Sequence, residues 1–133
     1  MAKLDTVRVR EYMSSNLITF RPDMDVMAAV NTLVKKHITA APVVDDSGKL
    51  IGILSERDAI AIVGMASEDG APAGPVSQFM NPKVATVEPD TSLMHLLSLF
   101  ESKTCRRYPV LASGQLIGMI SRSDVLRAIN DLY

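Results

Sequence analysis

The sequence predicts an α+β fold made of two β-α-β-β-α repeats packed about a pseudo-two-fold axis. Three observations predict it. The chain resembles itself in halves, apolar residues recur at helical spacing once in each half, and short apolar runs flank a glycine turn in each. Repeats are sought before secondary structure, because a missed repeat misreads the whole architecture. Val9–Val63 aligns with Val76–Ile129 once a single residue is deleted at a turn. Identities fall at Met13/Met80, Thr19/Thr86, Pro22/Pro89, Asp23/Asp90, Pro42/Pro109, Gly48/Gly114, Gly52/Gly118, Ser55/Ser121 and Asp58/Asp124. Residues 1–63 therefore read as the first repeat and 76–133 as the second. The Gly-, Ala- and Pro-rich stretch 64–75 lacks periodicity and reads as a connecting loop.

Each repeat is expected to open on a short strand, Leu17–Phe20 or Val84–Val87, followed by Pro-Asp and a helix start. In the first copy Val26, Ala29, Val30, Leu33 and Val34 recur at i, i+3, i+4, i+7 and i+8. In the second, Leu93, Leu96, Leu97 and Phe100 do the same. Both describe an amphipathic helix with one buried stripe. Two strands follow in the first copy, Ala41–Val44 and Leu50–Leu54, around a turn whose Gly48 supplies a positive φ. The second copy tightens that turn to Ala112-Ser113-Gly114. A last helix begins after Ser55 or Ser121. Three strands and two helices are too few to stand alone comfortably, so the copies are expected to pack on each other. In the final helix of the first copy, Ala59–Val63 is apolar on every side. Such a helix is usually buried all round, which predicts a symmetric homodimer through the final helices.

Composition narrows the function. Apolar residues at 47% and charged residues at 22% are ordinary for a globular domain and exclude wholesale disorder. A formal charge of −1 argues against nucleic acid as the main partner, since that affinity rests on neutralising phosphates. The longest apolar run, Ala59–Ala66, falls far short of the ~20 residues of a membrane span. Charges at Lys3, Asp5, Arg8, Arg10 and Glu11 leave no room for a secretory signal, so a cytoplasmic protein is expected. Catalytic chemistry has few candidates. His95 lies off the apolar stripe, His37 closes its helix where a cation suits the dipole, and Cys105 aligns with Ile38 as a small hydrophobe. No metal-ligand spacing is present. The paired methionines Met13/Met80 and Met27/Met94 read as core packing.

The segments Gly52–Asp58 (GILSERD) and Gly118–Asp124 (GMISRSD) carry the chemistry. Ser-x-x-Asp at a helix start resembles a capping box, which would make Ser55, Asp58, Ser121 and Asp124 purely structural. The same carboxylate can instead accept two hydrogen bonds from the cis-diol of a ribose, beside a helix N-terminus that attracts anions. The box is usually closed by Glu or Gln, so the shorter Asp favours a free carboxylate. Arg106 and Arg107, on the strand expected beside the second turn, offer planar donors suited to phosphate.

These residues resemble a pair of CBS domains, the tandem (Bateman) module first noted in cystathionine β-synthase. The likeness covers Val9 to about Ile129. It implies a cleft shared between copies that takes AMP, ADP, ATP or S-adenosylmethionine, with no cofactor required, and regulation of another protein. It further implies Asp58 and Asp124 as ribose ligands with Ser55 and Ser121 as polar neighbours. Thr39, Ala40, Arg106 and Arg107 would face adenine or phosphate, and Thr19 and Thr86 would add contacts from the first strands. Because Thr39-Ala40 stands where the second copy has Arg106-Arg107, unequal sites are expected, with the better nucleotide site at Asp124. Because the repeats take up nearly all of the sequence, no attached effector domain is expected and the regulated partner is expected to act in trans. The competing expectation is a structural dimerisation module with empty clefts.

Overall fold

The computed structural model describes residues 3–65, 74–103 and 105–133. Most of the connecting stretch 64–75 lies outside them. The four helices expected from periodicity are present in order: α1 (Val26–Lys35), α2 (Glu56–Met65), α3 (Leu93–Ser102) and α4 (Arg122–Leu132). Two antiparallel hairpins alternate with them, β1 (Ala40–Val44) with β2 (Leu50–Ser55), and β3 (Arg107–Ala112) with β4 (Gln115–Ser121).

The chain forms two compact units that do not coincide with the sequence repeats. One is Ile18–Val84; the other joins Met1–Leu17 to Ala85–Tyr133. Each unit thus takes the leading segment of the other repeat. In the Ile18–Val84 unit, Phe20, Val26, Ala29, Leu33, Val43, Leu54 and Ile62 build the core. In the other, Val9, Leu93, Leu96, Tyr108, Val110, Ile120 and Val125 do so.

The expected three-stranded sheets are two-stranded, and the reason is chemical. Phe20 pairs with Val43 as a single parallel bridge, donating to the Pro42 carbonyl and accepting from Val44 N–H, both at 2.9 Å. Continuing the ladder one way requires an N–H from Pro42, and the other way one from Pro22. Proline has none. Val87 and Val110 form the matching bridge between Pro109 and Pro89. The far edge of each hairpin is closed by the leader of the other repeat. Asn81 exchanges two hydrogen bonds of 2.9 Å with Ile53, and Ser14 does the same with Met119. That approach is close because Gly52 and Gly118 lie under the sulfur atoms of Met80 and Met13.

The turns follow the glycines. Gly48 adopts φ +85°, in a loop where Asp45 Oδ1 accepts from Ser47 N, Ser47 Oγ and Lys49 N. These bonds, led by the Ser47 hydroxyl, hold the Asp45 carboxyl below its usual range. Ser113 (φ +53°) and Gly114 (φ +81°) make a two-residue turn with the sign pattern of type I′. His37 closes α1 in the left-handed conformation, φ +55°, and Ile38 N–H reaches back to the Leu33 carbonyl at 3.1 Å.

Some burial expectations are corrected. Val34 is 68% exposed although it belongs to the α1 stripe, and Met27 and Met94 are exposed rather than core. In α2 only Ile62 of the expected all-round apolar face is buried, while Ile60 is 72% exposed and Ala61 is also exposed. The Val63 side chain lies outside the described residues. A helix on a small sheet has one face against it, so a second apolar face stays open.

Candidate functional site

At the end of β2 the chain turns directly into α2, and the first helical N–H, from Glu56, is capped by the Thr39 carbonyl at 2.8 Å. Ser55, opposite Ala40 in the hairpin register, is the cap residue. Its Oγ accepts from Asp58 N at 3.2 Å, while Asp58 Oδ2 accepts from Ser55 N at 2.8 Å and Ser55 Oγ at 2.9 Å. The other unit repeats the arrangement. Arg122 N–H is capped by the Arg106 carbonyl at 3.2 Å, and Ser121 stands opposite Arg107. Asp124 Oδ2 accepts from Ser121 N at 2.8 Å and Ser121 Oγ at 3.1 Å.

Both boxes are therefore closed, which corrects the expectation that the shorter Asp stays free. Side chains on a helix lean toward its N-terminus, and from the third helical position one methylene is reach enough. Closure uses a single oxygen, however. A carboxylate carries about four acceptor sites, so capping and ligand binding do not exclude each other. Among the described residues Asp58 Oδ1 takes no hydrogen bond. Asp124 Oδ1 is taken by Arg127 Nη2 at 3.1 Å.

The other candidate residues divide by unit. Thr39 and Ala40 end the strand beside Ser55 and are half-buried. Arg106 is exposed and Arg107 half-buried, and neither joins an ion pair among the described residues. Thr19 and Thr86 are both exposed, one residue before the bridges at Phe20 and Val87. Thr86 lines a groove of about 580 Å³ with Arg10, Asp90, Ala112 and Gly114, at the turn end of β3. Ser121 and Asp124 are not among the residues that line that groove. His95 and His37 are exposed, and Cys105 is half-buried with its thiol 2.7 Å from the Arg107 carbonyl.

Sequence reading missed Arg127 and its neighbours. Tyr12 OH donates to Asp131 Oδ2 at 2.9 Å, and this bond, reinforced by burial, raises the Tyr12 phenol above its ordinary range. Arg127 stands over the Tyr12 ring, 5.0 Å from its centroid. The available signal was a single column, Arg127 against Ala61.

Comparison with known proteins agrees with this architecture. The structure of CBSX2 in complex with AMP superimposes with a TM-score of 0.83 at 30% identity, over 94% of this chain and 97% of that one; CBSX2 is a protein of Arabidopsis thaliana. Uncharacterized protein MJ1225 of Methanocaldococcus jannaschii is 29% identical over 91% of this chain, which spans 42% of that protein. The A-adding tRNA nucleotidyltransferase of Aquifex aeolicus is 25% identical over 94% of this chain and only 15% of its own length. The chain thus spans less than two thirds of several curated relatives it matches. The CBS domain family model matches twice, at residues 9–64 and 76–131. With both copies matched and the fold shared, this chain belongs to the CBS-domain family as a tandem pair.

Proposed function

We propose that this CBS pair is a regulatory module that binds an adenosyl ligand (AMP, ADP, ATP or S-adenosylmethionine) and signals to a separate protein, without catalysing a reaction itself. The observation that carries the reading is the duplicated Ser-Asp box, in which one carboxylate oxygen finishes the helix while the second takes no hydrogen bond among the described residues in Asp58 and is held by Arg127 in Asp124. Beside it lie a strand end and the first turn of a helix. In one unit the strand end is Thr39-Ala40; in the other it is Arg106-Arg107, whose guanidiniums suit phosphate. The bound AMP of CBSX2 supports the same class of ligand. A lone, unpaired Cys105 suits a reducing compartment such as the cytoplasm, and none of the described helices is long and apolar enough to cross a membrane.

A thermal-shift panel of adenosyl and guanosyl compounds tests the reading. At a hundredfold excess over Kd a ligand stabilises by about 2.7 kcal/mol, several degrees in a domain of this size. Hydrogen bonds to a charged group contribute ~1.5–3 kcal/mol each. Asp58→Asn and Asp124→Asn keep an acceptor for the cap, so each is expected to lose roughly tenfold or more in ribosyl affinity by calorimetry with little loss of stability. The 2′-deoxy ligand should lose similarly. A panel without a responder would overturn the adenosyl reading.

A structural role in dimerisation has its own support. Val34, Ile60 and Leu126 are 68%, 72% and 65% exposed. Val34 and Ile60 line an apolar groove of about 350 Å³ against α1 and α2. Leu126 lines one of about 250 Å³ against α3 and α4. We assign these faces to a homodimer, because a second copy presents the same apolar surface. The double variant Ile60→Glu with Leu126→Glu is expected to sediment as a monomer at concentrations where the parent is dimeric. A parent that is monomeric throughout would remove the dimer.

A further inference from the structure

We propose that Arg127 is an internal gate on the second site: it occupies the remaining oxygen of Asp124 until a ligand hydroxyl displaces it, so that the Asp58 site fills first with ligands lacking phosphate. The proposal rests on the adenosyl reading of these sites and deepens it. The guanidinium is held from three directions. Arg127 Nη2 donates to the Tyr12 carbonyl at 3.0 Å and to Asp124 Oδ1 at 3.1 Å. Its carbon lies 5.0 Å from the Tyr12 ring centroid, within cation–π range. The ring is in turn fixed by the Tyr12–Asp131 hydrogen bond.

The Asp124 side chain is 19% exposed and that of Arg127 is 54% exposed. The carboxylate is therefore pinned by its cap, and the arginine is the partner with room to leave. With Oδ2 accepting twice from Ser121 and Oδ1 once from Arg127, one acceptor site remains, so a ribose cis-diol, which needs two, grips this carboxylate only in competition with the guanidinium. The Asp58 unit lacks the device. Its aligned residues are Ala61 for Arg127 and Phe79 for Tyr12, which supply neither guanidinium nor phenol, and Asp58 Oδ1 takes no hydrogen bond among the described residues. Both boxes close through Oδ2, so the difference at Oδ1 traces to the column that sets Arg127 against Ala61.

Phosphate and ribose pull the second site in opposite senses, because Arg106 and Arg107 favour an anion there. Adenosine separates the two. The test titrates adenosine and AMP into the full chain, into Asp58→Ala to isolate the second site, and into Asp58→Ala combined with Arg127→Ala. Exposed ion pairs are weak, so removing Arg127 is expected to tighten adenosine at the second site roughly two- to fivefold. Arg127→Gln removes the charge while retaining a donor for the Tyr12 carbonyl. It should give a gain in the same direction, which guards against a poorly folded alanine variant. Unchanged or weaker adenosine binding in both variants overturns the gate. So does a loss confined to AMP, which would make Arg127 a phosphate contact. Absence of binding by every protein, the parent included, overturns the adenosyl reading itself.

Discussion

Phe20→Ala is expected to cost about 3–5 kcal/mol, the range for truncating a fully buried aromatic. Phe20 is 1% exposed and packs with Val26, Leu33, Val43 and Leu54 in one core. It also carries the only bridge between its strand segment and β1 among the described residues. Pro22 and Pro42 prevent the neighbours of Phe20 from adding hydrogen bonds, so the side chain anchors the segment without help from a ladder. Losing the ring should therefore also loosen Thr19, its neighbour and a candidate ligand contact. Denaturant titration is the measurement: the midpoint should fall with the slope largely unchanged. Val87→Ala at the matching place removes less buried hydrocarbon and is expected to cost roughly half as much or less. A Phe20→Ala chain within about 1 kcal/mol of the parent would show that the ring does not anchor this segment.

Gly118→Val is the second large effect. A Cβ at Gly118 would lie 2.7 Å from Met13 Sδ and 3.0 Å from the Ser14 carbonyl oxygen. The thioether can swing away, but the carbonyl is fixed by the paired hydrogen bonds with Met119. Overpacking of this kind typically costs 1–3 kcal/mol, and forcing the Ser14 bridge apart adds about 0.5–1.5 kcal/mol per lost bond. Hydrogen exchange at the Ser14 and Met119 amides should accelerate together with the fall in melting temperature. Gly52→Val should behave alike, because its Cβ would meet Met80 Sδ at 2.5 Å and the Asn81 oxygen at 3.1 Å. Parent-like melting in both variants would mean that the leaders can shift without loss.

Much of the fold could be read from the residues. The helices announced themselves by spacing, and the hairpins by Gly48 and Gly114, because periodicity and positive φ are local properties. The first strands could not be judged from apolar runs alone. Whether Leu17–Phe20 forms a ladder depends on prolines in two separate segments facing each other. The all-round apolar character of α2 was legible and led to the expected homodimer, but spacing could not say which of its faces the repeat itself covers. At the site, the pairing of Ser with Asp was legible and its consequence was misjudged: one oxygen suffices for the cap. Arg127 escaped notice because its partners lie at opposite ends of the chain, Tyr12 near one and Asp124 near the other.

The trading of leaders has a consequence for biosynthesis. Ile18–Val84 is continuous and can close as soon as it leaves the ribosome. The segment 3–17 emerges earlier still but belongs to the unit that Ala85–Tyr133 completes. Residues 3–17 therefore precede Ile18–Val84 in translation and dock after it. Lys3, whose amide donates to the Tyr133 hydroxyl at 3.2 Å, waits for the final residue of this sequence. Until then the apolar side chains of Leu4, Val7 and Val9, buried in the finished unit, stay uncovered on the nascent chain, the circumstance in which a chaperone is most useful.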